Sequence, residues 1–294
     1  MSNKNFIRQI ESMSEFKLLQ TVVKGEIKIQ DAVQKIVDRT MSTLPSASGA
    51  TQRSDIGLTD YNVSLAVMEL AQRLEIPDRA RLVEFTIHLQ EQVALDPASN
   101  EPLKVQGDIL WRDMPSFGYT ELETWSEFGG AYKDPCEPTL DAEKRDRWVK
   151  LNAFLAQLTQ AAWIDYPALG QEARYSPLDK SLRAIWSLSM ALESESPPAT
   201  LQDTAAMEAA CQWLIYAGER LWINVLNART YPKVAGAGPG KRYHKRGWTG
   251  FTRERWGLWE DALKEGRAAC NDQRILKLME EALNSLQKSM AQEK

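Results

Sequence analysis

Between Lys233 and Arg246 five cationic side chains, Lys233, Lys241, Arg242, Lys245 and Arg246, follow one another without an intervening acid, in a chain of formal net charge -4. Gly236, Gly238 and Gly240 run among them, His244 sits near their end, and Thr252 then opens a helical pattern carrying Trp256 and Trp259. This tract has the chemistry of anion recognition. Glycines let backbone N–H groups approach an oxyanion, guanidinium and ammonium groups add charge-assisted hydrogen bonds, and a helix start contributes partial positive charge. Lys241, Arg242, His244, Lys245 and Arg253 are therefore the candidate ligand-binding residues, for a small anionic molecule or an acidic protein surface. The alternative is a solvated loop.

Other chemistries find less support. GAGPGK, Gly236 to Lys241, resembles a phosphate-binding loop, but the first glycine of GxxxxGK[ST] would fall on Ala235, and Arg242 stands where magnesium needs a hydroxyl. The element before it reads as helix, which also removes a dinucleotide fingerprint. Only two histidines occur, His88 and His244, so neither HExxH nor a paired-histidine metal centre can form, and no metal site is expected. His88, between Ile87 and Leu89 in a helical pattern, reads as a hydrogen-bonded structural residue. No GxSxG elbow is present, although triad members can meet in space from distant positions. No DDxxD occurs. Asn271-Asp272 with Glu280 or Glu281 has Ile275 at the hydroxyl position and the wrong glutamate spacing for magnesium held against a diphosphate. Glu193, Glu195 and Asp203 flank a proline-rich turn and read as solvent-facing charge, while Trp213, Tyr216 and Trp222 at helical spacing read as a core face. No cofactor is evident.

The elements that must position the tract are helical. Apolar residues recur at i, i+3, i+4 almost throughout, and period-two alternation is nearly absent. The spacing predicts helices over Phe6 to Val23, Gln30 to Met41, Asp60 to Leu74 and Asp78 to Val93, with Gly25 and Pro77 as punctuation. From Pro97 to Thr139 nine prolines and glycines leave room only for a short helix near Glu121 to Phe128. That segment is either a loop anchored by Trp111, Phe117 and Trp125 or the lid of a cleft. Thr139 or Asp141 should cap a long helix through Leu158, followed by helices over Leu178 to Leu192, Thr204 to Leu226, one capped by Thr252, and Gln273 to Met290. Eight of the ten tryptophans lie between Trp148 and Trp259, which places the principal core there. The expected fold is all-α, a single multi-helix domain of roughly nine to eleven helices with little or no sheet. Residues 1–43 would form an N-terminal hairpin, 44–56 a flexible linker and 57–294 the main domain.

Composition bounds the partners. The slightly acidic balance argues against general affinity for nucleic acid, and no run approaches the ~18 apolar residues of a membrane helix. MSNKNFIRQIESMSEF lacks the apolar region of a secretion signal. Three scattered cysteines, Cys136, Cys211 and Cys270, fit a reducing compartment, cytoplasm or nucleus, rather than a disulfide framework.

Trp148 with Leu151 to Ala156, Ala184-Ile185-Trp186 leading to Ala191-Leu192-Glu193, Gln212 to Gly218, Gly238-Pro239-Gly240, and Gly250-Phe251-Thr252 with Arg255, Trp256 and Trp259 occur in that order. Over Gln30 to Arg267 the chain thereby resembles a fungal family of all-helical proteins known only as a domain of unknown function. The resemblance implies fungal origin, a helical fold, a glycine loop belonging to that fold, and a place beside enzymes of specialised metabolism. It supplies no catalytic residues. Three functions follow as expectations: a small-molecule or partner-binding accessory protein, an enzyme of secondary-metabolite biosynthesis acting in a helical cavity, or a scaffold. A pocket lined by Tyr216, His244, Arg253 and Arg255 would favour the first two.

Overall fold

The computed structural model describes residues 3–44, 54–130, 134–166 and 173–291. Among them are twelve α-helices and two antiparallel ribbons of two residues per strand, so the protein is predominantly α-helical. Contacts cluster in two compact units, one of Met1–Gly130 with Ala162–Leu178, the other of Ala131–Ala161 with Asp179–Lys294. The expected linker falls largely on 45–53, outside the described residues.

The first unit holds α1 (Asn3–Ser12), α2 (Ser14–Val23), α3 (Ile29–Ser42), α4 (Ser54–Ala71), α5 (Asp78–Gln90) and α6 (Phe117–Ser126). The helix expected over Phe6 to Val23 is two, because Met13 adopts extended backbone and α2 begins after it. Ribbon β1 (Lys104–Val105) with β2 (Asp108–Ile109) lies in the proline- and glycine-rich segment, and β3 (Ile164–Asp165) pairs with β4 (Arg174–Tyr175). Trp111, Phe117 and Trp125 are buried, so the segment from 97 to 130 is tied down by its aromatics, as burial of large apolar surface favours.

One group in this unit is costly. Asp60 on α4 is buried, its Oδ2 accepts from the Ser116 backbone N–H at 2.8 Å, and its Oδ1 has no partner among the described residues. Burial raises its carboxyl above the ordinary 3.8, against the pull of Ser116. A carboxyl with a raised folded pKa adds stability below the ordinary value, and that stability is lost as pH rises through the folded value. Asp60→Asn, which cannot ionise, is expected to narrow the fall in urea midpoint between about pH 4 and about pH 7. Equal falls in variant and wild type would show that Asp60 ionises in the fold without cost.

The second unit is built around α10 (Ala205–Leu226), against which α7 (Ala142–Ala161), α8 (Ser181–Leu192) and α12 (Gln273–Ala291) pack, with α9 (Pro198–Leu201) and α11 (Arg253–Ala269) beside them. Caps set the boundaries. Asp141 Oδ1 accepts from the N–H groups of Glu143 and Lys144, and Thr204 and Thr252 hydroxyls accept from Met207 and Arg255. Asp272 accepts from Arg274 and Ile275 at the head of α12, and the Ile275 N–H lowers its pKa, so this aspartate is a helix cap.

The α10 face is a core, with one amendment to its expected membership. Trp213 is fully buried and its indole N–H donates to Asn152 Oδ1 at 2.9 Å, an oxygen that also accepts from Ser187 Oγ at 2.8 Å. Trp222 and Trp256 are buried too, with ring centroids 5.4 Å apart. Tyr216 is only half-buried, because its position on α10 turns it toward a groove with α12.

Candidate functional site

The 26 residues from Asn227 to Thr252 that join α10 to α11 form a loop closed at its neck and braced from beneath. At the neck, Tyr231 N–H donates to Thr249 O at 2.8 Å and Phe251 N–H to Arg229 O at 2.9 Å. The backbones meet so closely that a Cβ on Gly250 would lie 2.1 Å from Arg229 O, which only glycine tolerates. Arg229 is itself buried, donating to Asp179 Oδ2 at 2.7 Å and stacking over Tyr231 at 5.0 Å.

The brace is Arg255, on the first turn of α11, paired with Glu193 at the end of α8. Both side chains are 0% exposed. Arg255 Nε donates to Glu193 Oε1 at 2.6 Å and Nη2 to Oε2 at 3.1 Å, the bidentate geometry that arginine and carboxylate share. Its remaining donors reach Ala237 O at 2.8 Å, Gly250 O at 3.0 Å, Gly238 O at 2.9 Å and Ser189 Oγ at 2.8 Å. Glu193 in turn accepts from Gly240 N–H and Trp259 Nε1, each at 2.6 Å. The guanidinium lies 5.5 Å from the Trp248 ring centroid and 5.4 Å from that of Trp259. Ion and loop backbone therefore satisfy each other in a space that water does not enter.

One expectation is corrected by this arrangement, and one condition is not met. Glu193 is not solvent-facing charge but fully buried; Glu195 and Asp203 do face solvent. Arg255 is no pocket-lining residue, since every one of its nitrogens is engaged by the fold. The signal was available on α11: an arginine four residues before Trp259 lies on the buried face of that helix and requires a buried counter-charge.

Above the brace the loop makes two short 3-10 turns, Lys233–Ala235 and Lys241–Tyr243. The first is fixed by Trp186, whose Nε1 donates to Ala235 O at 3.2 Å, and by Gly236 in the left-handed region at φ 71°. Val234 on this turn is 98% exposed. The second turn gathers Lys241, Arg242 and, at its exit, His244 and Lys245, all exposed. Lys241 Nζ lies 3.8 Å from Glu195, Arg242 reaches Glu265 at 3.3 Å, and His244 Nδ1 sits 3.0 Å from Lys241 O. Arg246 pairs with Glu254 at 2.9 Å. Lys233 and Lys245 have no acidic partner within ion-pair distance among the described residues. Arg253 stands apart from that turn at the start of α11, its guanidinium 5.2 Å from the Trp222 ring centroid.

The pocket of Tyr216, His244, Arg253 and Arg255 is not assembled. Tyr216 lines a groove of about 230 Å³ with Gln160, Gly218, Glu219, Ser285 and Lys288, and none of the other three reaches it. Elsewhere, His88 is a surface residue of α5, 3.1 Å from Glu91 and 3.8 Å from Glu84. Burial, with help from Asp134, pushes the Cys136 thiol up to about 12, and burial also raises Cys211; the nucleophilic thiolate is disfavoured at both. No cluster of three metal-ligating side chains occurs among the described residues, and no helix among them is long and apolar enough to cross a membrane.

Residues 65–263 match the model of a family described as a protein of unknown function, DUF3632. The chain belongs to the DUF3632 family. The matched stretch takes in α8, α10, the whole 227–252 loop and α11 as far as Leu263, so Glu193 and Arg255 both fall within it. No curated protein and no solved structure matches the chain.

Proposed function

We propose that this DUF3632 protein is a binding protein whose 227–252 loop is a preformed recognition element for an anionic partner. The observation that supports this reading is the direction of the Glu193–Arg255 hydrogen bonds, which run to Ala237, Gly238, Gly240 and Gly250 of that one loop. Burying an ion pair costs several kcal/mol of hydration per ion, and an apolar pair of similar volume commonly stabilises a fold as well or better. What this pair adds is a single loop conformation. Ordering a loop in advance removes that entropy loss from the binding step. The charge it displays, Lys233, Lys241, Arg242 and Lys245, selects for an anion.

The test is a titration of the full chain with a 12-residue glutamate peptide and with inorganic phosphate, at low and at raised salt. Wild type is expected to bind at least one of these probes, more weakly as salt screens the charges. Lys241→Ala with Arg242→Ala and Lys245→Ala should lower affinity about tenfold, from about 0.5 kcal/mol for each exposed contact, with an unchanged melting temperature. Affinity equal in variant and wild type, or no uptake of either probe at low salt, would defeat the reading.

A further inference from the structure

We infer that the partner is an acidic peptide segment of another protein that also carries an apolar side chain, docked across both 3-10 turns with Val234 as its apolar contact. This rests on the recognition-loop reading and specifies what the loop takes. A small anion is held when several donors converge on one point within hydrogen-bond distance. Here Lys241, Arg242 and Arg246 each already face a carboxylate of their own surface, Glu195, Glu265 and Glu254. Lys233 belongs to the first 3-10 turn and Lys245 follows the second, with the glycine segment 236–240 between them along the chain. Cations distributed in this way suit a chain of spaced carboxylates rather than one compact ion.

Val234 supplies the second half of the argument. It follows Lys233 directly and is 98% exposed, so nearly all of its apolar surface meets water. Its turn is held by Pro232, by the Ala235 N–H to Pro232 O bond of 2.8 Å, and by the Trp186 indole. An apolar side chain held out in water on an ordered turn, beside an ammonium group, gains when a partner covers it.

A peptide array of random 12-residue sequences, probed with the full chain, reads both halves separately. Binding sequences are expected to be enriched in Asp and Glu flanking Leu, Ile, Val or Phe. Val234→Ser, which changes no charge, should remove the apolar preference and weaken the best peptide about tenfold, as expected for one buried aliphatic side chain. Lys233→Glu with Lys245→Glu should remove the acidic preference and the salt dependence, and both variants should melt as wild type does because the altered residues are exposed. Phosphate or polyglutamate binding with no apolar enrichment on the array would overturn this inference while leaving the recognition-loop reading in place. An array without charge preference, together with no anion binding in the titration, would remove both. Concentration-dependent dimerisation in sedimentation, abolished by Val234→Ser, would overturn the proposed partner in favour of a second copy of the chain.

Discussion

Arg255→Met is expected to destabilise the second unit by about 3–5 kcal/mol, the largest effect of any single exchange at the candidate site. Two losses combine. Glu193 would remain fully buried with a charge that only Trp259 Nε1 and Gly240 N–H address, and the carbonyls of Ala237, Gly238 and Gly250 would lose their charged donor. Glu193→Gln combined with Arg255→Met should be less damaging than Arg255→Met alone, because no uncompensated ion is left behind. Urea unfolding followed by tryptophan fluorescence measures the stability. Limited trypsin digestion measures the loop: cleavage after Lys233, Lys241 or Lys245 should accelerate in both variants. A stability within about 1 kcal/mol of wild type, with unchanged cleavage, would mean that the pair neither stabilises the fold nor holds the loop.

Trp213→Ala should cost about 3–5 kcal/mol, the range for truncating a large buried aromatic side chain. The side chain is 0% exposed where α10 faces α7 and α8, and its loss also takes a donor from Asn152. Trp213→Phe keeps most of the volume and should cost about 0.5–1.5 kcal/mol, the net worth of one hydrogen bond, because the buried Asn152 oxygen keeps Ser187 as its donor. Tyr216→Ala, three residues along the same helix, should cost well under half as much as Trp213→Ala because its ring is only half-buried. Chemical unfolding of the three variants at one pH orders them. Equal costs for Trp213→Ala and Tyr216→Ala would show that exposure along α10 does not govern its contribution.

The contrast between Trp213 and Tyr216 marks where periodicity stops informing. Both fall on the apolar side of a 3.6-residue repeat, yet which of two neighbouring positions is sealed depends on what packs there, α7 and α8 in one case and the open edge of α12 in the other. The break at Met13 is of the same kind. Nothing in the apolar spacing of Phe6 to Val23 announces it, and no glycine or proline stands there.

What the sequence determined by itself was local. Helix periodicity placed α3, α5, α8, α10 and α12 within a few residues of their observed bounds and α11 at its start, and Thr204, Thr252 and one of the pair Thr139 and Asp141 stood at the starts of helices because a short polar side chain there satisfies an N–H one turn on; the structure makes Asp141 that cap. The density of charge and glycine in 231–255 marked the loop for the same reason, as a property of consecutive residues. Only the tertiary structure decided which charges are exposed and which are structural. Glu193 and Arg255 lie 62 positions apart, and Asp179 and Arg229 are 50 apart. Arg255 alone carried a local sign of burial, its i, i+4 spacing from Trp259; Glu193, Asp179 and Arg229 each read as ordinary surface charge. An ion pair forms in the interior only when packing has already excluded water from both members, so its existence is a consequence of how α8, α10, α11 and α12 meet rather than of any pattern along the chain.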